Sequence, residues 1–218
     1  SDSDFYDAFG SMTPGFIIEN FEDPTSLSGN LEAGGTIAGG GTGEIVAGES
    51  LGSSVGMFTS LGGTGSGSTC GSLSADNSCT NIGYQMDPPV NGQGNTIPFE
   101  GLYSVNSADT EGMSWTADTG SLFNELVFVL RDPGDQGQKT LTIEAAGETY
   151  STTTRLPNEE LLLVQVLFGA HQSSATIDIT TSINDAFTID GAAANVVPLP
   201  AAGWMLLAGI GGLAAMRR

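Results

Sequence analysis

Residues 175–189 read Ala-Thr-Ile-Asp-Ile-Thr-Thr-Ser-Ile-Asn-Asp-Ala-Phe-Thr-Ile. Ala175, Ile177 and Ile179 alternate with Thr176, Asp178 and Thr180, and Ile183, Phe187 and Ile189 continue the series among Ser182, Asn184 and Thr188. A period of two puts every second side chain on one side of a pleated strand, whereas an amphipathic helix repeats every three to four residues. The stretch therefore predicts strand structure with one buried face.

The same alternation recurs upstream, at Met113, Trp115 and Ala117 against Ser114, Thr116 and Asp118, and at Leu141, Ile143 and Ala145 against Thr140, Thr142 and Glu144. Two further runs, Leu126 to Leu130 and Leu161 to Phe168, are apolar on both faces apart from Gln165, which predicts central strands covered on both sides. Gly15 to Phe21 and Ser54 to Leu61 read as additional strands. Gly34 to Gly43 reads as either a loose connection or an edge decoration. Asp132-Pro-Gly-Asp-Gln-Gly137 and Ala170-His-Gln-Ser-Ser174 carry the punctuation of hairpin turns. With 32 glycines and short strands at hairpin spacing, the chain predicts an all-β fold, a β-sandwich or jelly roll, with residues 1–196 as a single domain. Trp115, ten phenylalanines and the two continuous runs supply its core.

Charge narrows the partners. The chain has 25 Asp and Glu against five Lys and Arg, and every acid precedes Val196, where only Arg131, Lys139 and Arg155 oppose them, a net of −22 over that part. Such a charge repels phosphate backbones, which excludes nucleic acid, while it keeps an exported domain soluble and attracts divalent cations. The start, Ser-Asp-Ser-Asp, reads as a mature end left by removal of a leader. Cys70 and Cys79 lie nine apart in a Gly- and Ser-rich loop, which predicts a local disulfide formed in an oxidising compartment. With no second cysteine pair and His171 as the sole histidine, these thiols cannot assemble a closed zinc site.

Chemistry-bearing motifs are scarce. There is no Gly-x-Ser-x-Gly elbow, no His-Glu-x-x-His, no Walker loop and no dinucleotide fingerprint in a strand-turn-helix setting. His171 falls in an expected turn, where a solvated histidine fits better than a general base. Two carboxylates of a glycosidase could stand together on a sandwich, but the sequence singles out no pair. The chain reads as non-enzymatic. Asp132 and Asp135 are the candidate calcium ligands, with Asp109 and Glu111 as neighbours, because calcium takes clustered hard oxygens. The alternative is a type I turn whose aspartates cap backbone amides.

The last 22 residues differ from the rest. Val197-Pro-Leu-Pro-Ala201 precedes Gly203 to Met216, which carries no charge, and Arg217-Arg218 closes the chain. Counting back to Val196 gives 21 uncharged residues, against about 20 for a membrane-spanning helix. Pro200 suits a helix start, Trp204 suits headgroup depth, and the terminal arginines place that end in the cytoplasm with the acidic body outside. A buried core helix is the alternative, although such a helix normally has a polar face. The segment resembles the VPLPA class of C-terminal sorting tails, relatives of the PEP-CTERM segments processed by exosortases in Gram-negative bacteria. Val197, Pro198, Leu199, Pro200 and Ala201 match the motif, and Arg217 and Arg218 form the basic membrane stop. The resemblance implies export, transient anchoring in the inner membrane through one transmembrane helix, cleavage near the motif by an exosortase-type enzyme, and release to the cell surface or matrix.

Three functions are compatible with these features. The first is an exported cell-surface or matrix-associated structural protein. The second is a carbohydrate-binding module using exposed aromatics, for which Tyr84, Tyr103, Trp115 and Tyr150 are the residues to follow. The third is an uncleaved single-pass accessory subunit of an inner-membrane complex, whose Ala208, Gly209, Gly211 and Gly212 would pack against a partner helix.

Overall fold

The computed structural model describes residues 15–65, 70, 73–74, 78–86, 101–134, 140–182 and 186–197. Thirteen strands lie in these stretches: β1 (Phe16–Glu19), β2 (Gly43–Glu44), β3 (Leu51–Ser53), β4 (Gly56–Ser60), β5 (Gly83–Met86), β6 (Tyr103–Asn106), β7 (Gly112–Ala117), β8 (Phe123–Arg131), β9 (Leu141–Ala145), β10 (Glu148–Ser151), β11 (Leu161–Gln172), β12 (Ala175–Thr181) and β13 (Thr188–Val196). Sheet A runs β11-β8-β13-β6-β5-β2, with β1 also on β13, and sheet B runs β10-β9-β12-β7-β4-β3. All pairings are antiparallel. The two sheets face each other across one core, so the β-sandwich expectation holds for the described residues.

The alternating segments behave as their pattern requires. In β7 the side chains of Met113, Trp115 and Ala117 are buried and those of Ser114 and Thr116 only half so. In β12, Ile177 and Ile179 enter the core while Thr176 is exposed. β8 is central and apolar on both faces. Leu126, Phe128 and Leu130 join the core between the sheets, and Val127 and Val129 join Ala193, Phe16, Ile18 and Leu161 on the outer face. Aromatic contacts run along and across the sandwich: within sheet B, Phe58 lies parallel to Trp115 at 5.6 Å, and Trp115 meets Phe128 of the other sheet edge-on at 5.8 Å. The Trp115 indole N–H donates to the Val55 carbonyl at 3.2 Å, so its polar end is satisfied within the core.

Four expectations are corrected. The run 175–189 is two strands in different sheets, because the chain leaves sheet B after Thr181 and enters sheet A at Thr188. Among the described residues β11 pairs with β8 alone and so is an edge strand, and of its two apolar faces Leu162, Val164, Val166 and Phe168 pack on the core while Leu163 and Leu167 are exposed. The loop after Arg131 and the one after Gln172 are crossovers between sheets rather than hairpins, since β8 and β11 lie in sheet A while β9 and β12 lie in sheet B. His171 belongs to β11, which runs on to Gln172, and is exposed on that strand. A true two-residue hairpin joins β9 to β10 through Ala146 and Gly147, with φ of 53° and 83°, the pair of positive values a type I′ turn needs.

The two flanks of the sandwich differ. On the β2/β3 side, residues 28–31 suture both sheets: Ser28 exchanges backbone bonds with Gly52 at 2.8 and 2.9 Å, and Leu31 bridges to Ile45. The glycine-rich stretch is thus an edge decoration, anchored by Ile37, which is fully buried. On the opposite side β10 and β11 have no further strand among the described residues.

Close approach of strands fixes one glycine. At Gly56, φ is +120° and an added Cβ would stand 2.1 Å from the Thr116 carbonyl oxygen and 2.7 Å from the Asp118 nitrogen, whereas Gly120, also at positive φ, faces open space. Gly56→Ala is expected to cost roughly 2–4 kcal/mol and Gly120→Ala about 1 kcal/mol, a difference that combines the clash with the more strained backbone at φ +120° against +69°. Chemical denaturation of the two variants checks this, and equal losses would refute it.

Candidate functional site

On the open flank, the β9–β10 hairpin and β11 diverge to leave a groove of about 460 Å³. Its walls are apolar at Ile143, Leu162, Val164 and Val166, side chains that also pack on the core, and its rim carries Tyr150, Glu148, Thr149, Leu163 and Leu167. Tyr150 is 58% exposed and Leu167 70% exposed, an uncommon state for large apolar groups on neighbouring strands. All four residues of β10 are exposed. Along β11 the inward residues are the even-numbered ones from Leu162 to Phe168, so Leu163, Gln165 and Leu167 fall to the outside. Gln165 is held by its side-chain amide, which donates to Glu125 of β8.

Beside the groove lies a polar depression of about 230 Å³ lined by Glu144, Glu148, Thr149, Thr176 and Asp178. Strand register sets Asp178 opposite Ser114 on one side and Glu144 on the other. The Ser114 hydroxyl donates to Asp178 Oδ1 at 2.5 Å, which offsets part of the repulsion between two carboxylates on facing positions. Among the described residues, no group of three or more His, Cys, Asp or Glu is arranged to hold a metal ion.

The four aromatics separate clearly. Trp115 and Tyr84 are fully buried and Tyr103 is half-buried, stacked on Tyr84 at 5.2 Å. Burial, followed by the proximity of Tyr103, Glu22, Glu19 and Asp23, pushes the Tyr84 phenol well above its ordinary range, and its hydroxyl donates to the Phe21 carbonyl at 2.7 Å. Tyr84 is thus a neutral structural group. Only Tyr150 of the four stands open to solvent on a groove.

Asp132 of the proposed calcium pair is buried, and its Oδ1 accepts from the Glu159 N–H at 3.0 Å, a bond that ties the turn to the segment before β11 and does not cap the turn itself. Asp135 lies outside the described residues, as do Pro198, Leu199, Pro200, Ala201, Arg217 and Arg218. Asp109 is buried and Glu111 exposed, in the connection between β6 and β7. Val197 is described: its N–H donates to the Leu122 carbonyl at 2.7 Å, directly after β13. Among the described residues no helix is long and apolar enough to cross a membrane.

One polar array has no counterpart in the sequence reading. Gln85, Ser104, Asn106 and Thr188 form a hydrogen-bonded row across β5, β6 and β13 on the outer face of sheet A, with bonds of 3.3 to 3.4 Å. All four are buried, so the row binds strands to one another. Its sequence signal is polar residues at the off-core phase of Tyr-Ser-Val-Asn106, a pattern that every half-exposed strand shares.

The disulfide is formed, with Cα atoms 5.4 Å apart. It is fully buried and packs with Leu73 and Ala108, and Gly65 N–H donates to the Cys79 carbonyl at 2.6 Å. It therefore ties Gly65 and Leu73 to Ala108 in the connection after β6.

No protein-family model matches the chain, and none of the curated proteins compared with it matches either. Among solved structures, the chain is similar to a family two carbohydrate esterase from Cellvibrio japonicus, at 8% identity and a TM-score of 0.33, over 84% of this chain and 34% of that one. It is also similar to TmCBM61 in complex with β-1,4-galactotriose, at 11% identity and a TM-score of 0.32, over 51% of this chain and 86% of that one. A third is the CBM22-1–GH10 portion of Clostridium thermocellum xylanase 10B complexed with xylohexaose, at 15% identity and a TM-score of 0.30, over 53% and 25%. The first of the solved structures it matches are much longer, and the alignments span between 17% and 34% of their lengths. TM-scores of this size lie below the level of a shared fold.

Opening the Cys70–Cys79 bridge frees a ten-residue loop in the unfolded chain, worth about 2–3 kcal/mol in the chain-entropy account. Denaturant midpoints of the oxidised protein and of a Cys70→Ala/Cys79→Ala variant should differ by that amount, and coincident curves would show that the clamp is energetically idle.

Proposed function

We propose that this chain is an exported cell-surface or matrix-associated structural protein, delivered by its C-terminal sorting tail. The observation that carries the reading is the junction at Val197. β13 is held on both sides, by β8 and by β1, up to its last residues, and the first residue of the Val-Pro-Leu-Pro-Ala motif is bonded to Leu122. A cut after Val197 removes none of the described strands, so the sandwich they build is kept on release. The buried disulfide and the net charge of −22 before the tail support an oxidising, extracytoplasmic destination. Calcium at the Asp132 loop has no special support, since one Asp132 oxygen already serves a backbone amide.

The carbohydrate-binding alternative rests on Tyr150 alone, because Trp115 and Tyr84 face the core. A sugar platform ordinarily offers more open aromatic surface than one ring. Retention of weak glycan binding that disappears in Tyr150→Ala would move the assignment to that alternative.

Intact mass of the protein recovered from membrane, surface and medium fractions tests the proposal. A surface or medium form ending near Pro200 is the expected result. A form retaining Arg218 and confined to the inner membrane would replace it with the accessory-subunit reading, and a cytosolic full-length form would overturn both.

A further inference from the structure

We propose that the β11 edge is a self-association site, at which two copies of this chain pair β11 with β11 antiparallel and join their A sheets into one. The inference rests on the structural reading above and names its partner as a second copy.

Three observations select that occupant. First, among the described residues β11 pairs only with β8, so along Leu161–Leu167, where its register is regular, alternate N–H and C=O groups point outward from the edge. Such a row is completed by another extended strand, which offers donors and acceptors at the same repeat, and poorly by a ring of hydroxyls. Second, charge is absent where it matters. Leu161 to Ala170 contains no ionisable side chain, within a chain of formal charge −20. A basic partner would be drawn to the acidic depression of Glu144, Glu148 and Asp178, whereas two like-charged copies can approach only along a neutral strip. Third, the edge lacks the protections that sheet edges usually carry. It has no lysine and no proline, it is twelve residues long, and it exposes Leu163 and Leu167, while the opposite flank is sutured by residues 28–31.

Antiparallel pairing of a strand with its own copy is generated by a two-fold axis, so the contact is self-complementary and closes as a dimer. With the axis near Gln165, Leu163 of each copy faces Leu167 of the other, and the apolar groove beside Tyr150 is roofed by the partner strand. The register shift between Leu167 and Gln172 ends the pairable stretch, which limits growth of the ladder along the edge.

Sedimentation of the full chain in mild detergent tests the proposal, since detergent masks association through the apolar tail. The unmodified protein should show twice the single-chain mass, with the dimer tightening as salt screens the net charge. Leu167→Glu and Leu163→Glu, both at exposed positions and so expected to fold, should weaken the dimer at least tenfold. Met57→Glu, a matched change at a residue 51% exposed on sheet B, should leave it intact. Amide exchange in the unmodified protein provides a check independent of any variant: protection along 161–167 should rise with concentration. A single-chain mass at all concentrations, a dimer indifferent to both leucine variants, or exchange along 161–167 that does not respond to concentration would each overturn the proposal. So would a monomer whose groove binds glycan through Tyr150. None of these results depends on where the protein is found in the cell, so failure here leaves the export reading standing.

Discussion

The sandwich is organised around the indole of Trp115. Its position in β7 is fixed by register with Phe58 of β4 and Ile177 of β12, and from there its ring meets Phe58 face to face and Phe128 of the opposing sheet edge-on. Phe58 in turn meets Phe21 at 5.5 Å, extending the aromatic chain to a residue two positions past the end of β1. Each such pair adds about 0.5–1.5 kcal/mol beyond its area of burial. The geometric consequence is larger than the energy. Rings of this size interlocked across the middle fix the separation of the sheets, and the Val55 carbonyl that receives the indole N–H belongs to the β3–β4 turn, so the same contact positions the hairpin. Gly56 lies next to that turn because β4 must approach β7 without a Cβ between them.

A strongly acidic chain must also place carboxylates where the fold leaves no water. Glu19 is buried, and both its oxygens are spoken for: Oε1 accepts from the Phe21 N–H at 2.9 Å, Oε2 from the Ser54 N–H and hydroxyl at 3.1 and 3.0 Å. The carboxylate thereby ties β1 to the β3–β4 turn. Glu22 does similar work at the surface, receiving the amides of Leu102 and Tyr103 at 2.9 Å. Backbone amides, not basic side chains, accommodate much of this negative charge, which fits a body with only three Lys or Arg before Val196.

Legibility from sequence followed the size of the side chains. β7, β9 and β12 alternate large apolar with polar residues and were readable, as was β8 with its unbroken apolar run. β13 was readable only at its start, from Phe187 just before it and from Ile189. Its remainder, Gly191-Ala-Ala-Ala-Asn195, has no contrast between faces, yet Ala192 and Ala194 face the main core and Ala193 the outer cluster. Nor does composition reveal where a strand sits in its sheet: Leu161 to Phe168 has the apolar content of a central strand but lies at the edge, where its inward Leu162, Val164 and Val166 wall the open groove. Proline and glycine marked the loop at 132–137 and the polar run of His171 to Ser174 the one at 170–174 as turns of the chain, but a turn signal does not tell whether the next strand returns to the same sheet. Tyr150 was readable as an aromatic of interest. The groove beside it was not, because it arises from two sheets diverging.

The small residues of β13 acquire a meaning from its neighbours. β8 lies on one side, and β1 and β6 share the other, with a register shift between Ile189 and Ala192 where Gly191 takes φ of 112° and the chain passes from β6 to β1. Larger side chains at Ala192 to Ala194 would compete for space with Val127, Phe128 and Ile18 on either face. Ladder hydrogen bonds stand perpendicular to the strand, so a lengthwise displacement of β13 would strain those to β8 and β1 together in shear rather than one after another. Partners on both edges therefore hold this last described strand, and with it the junction at Val197, in the body of the sandwich.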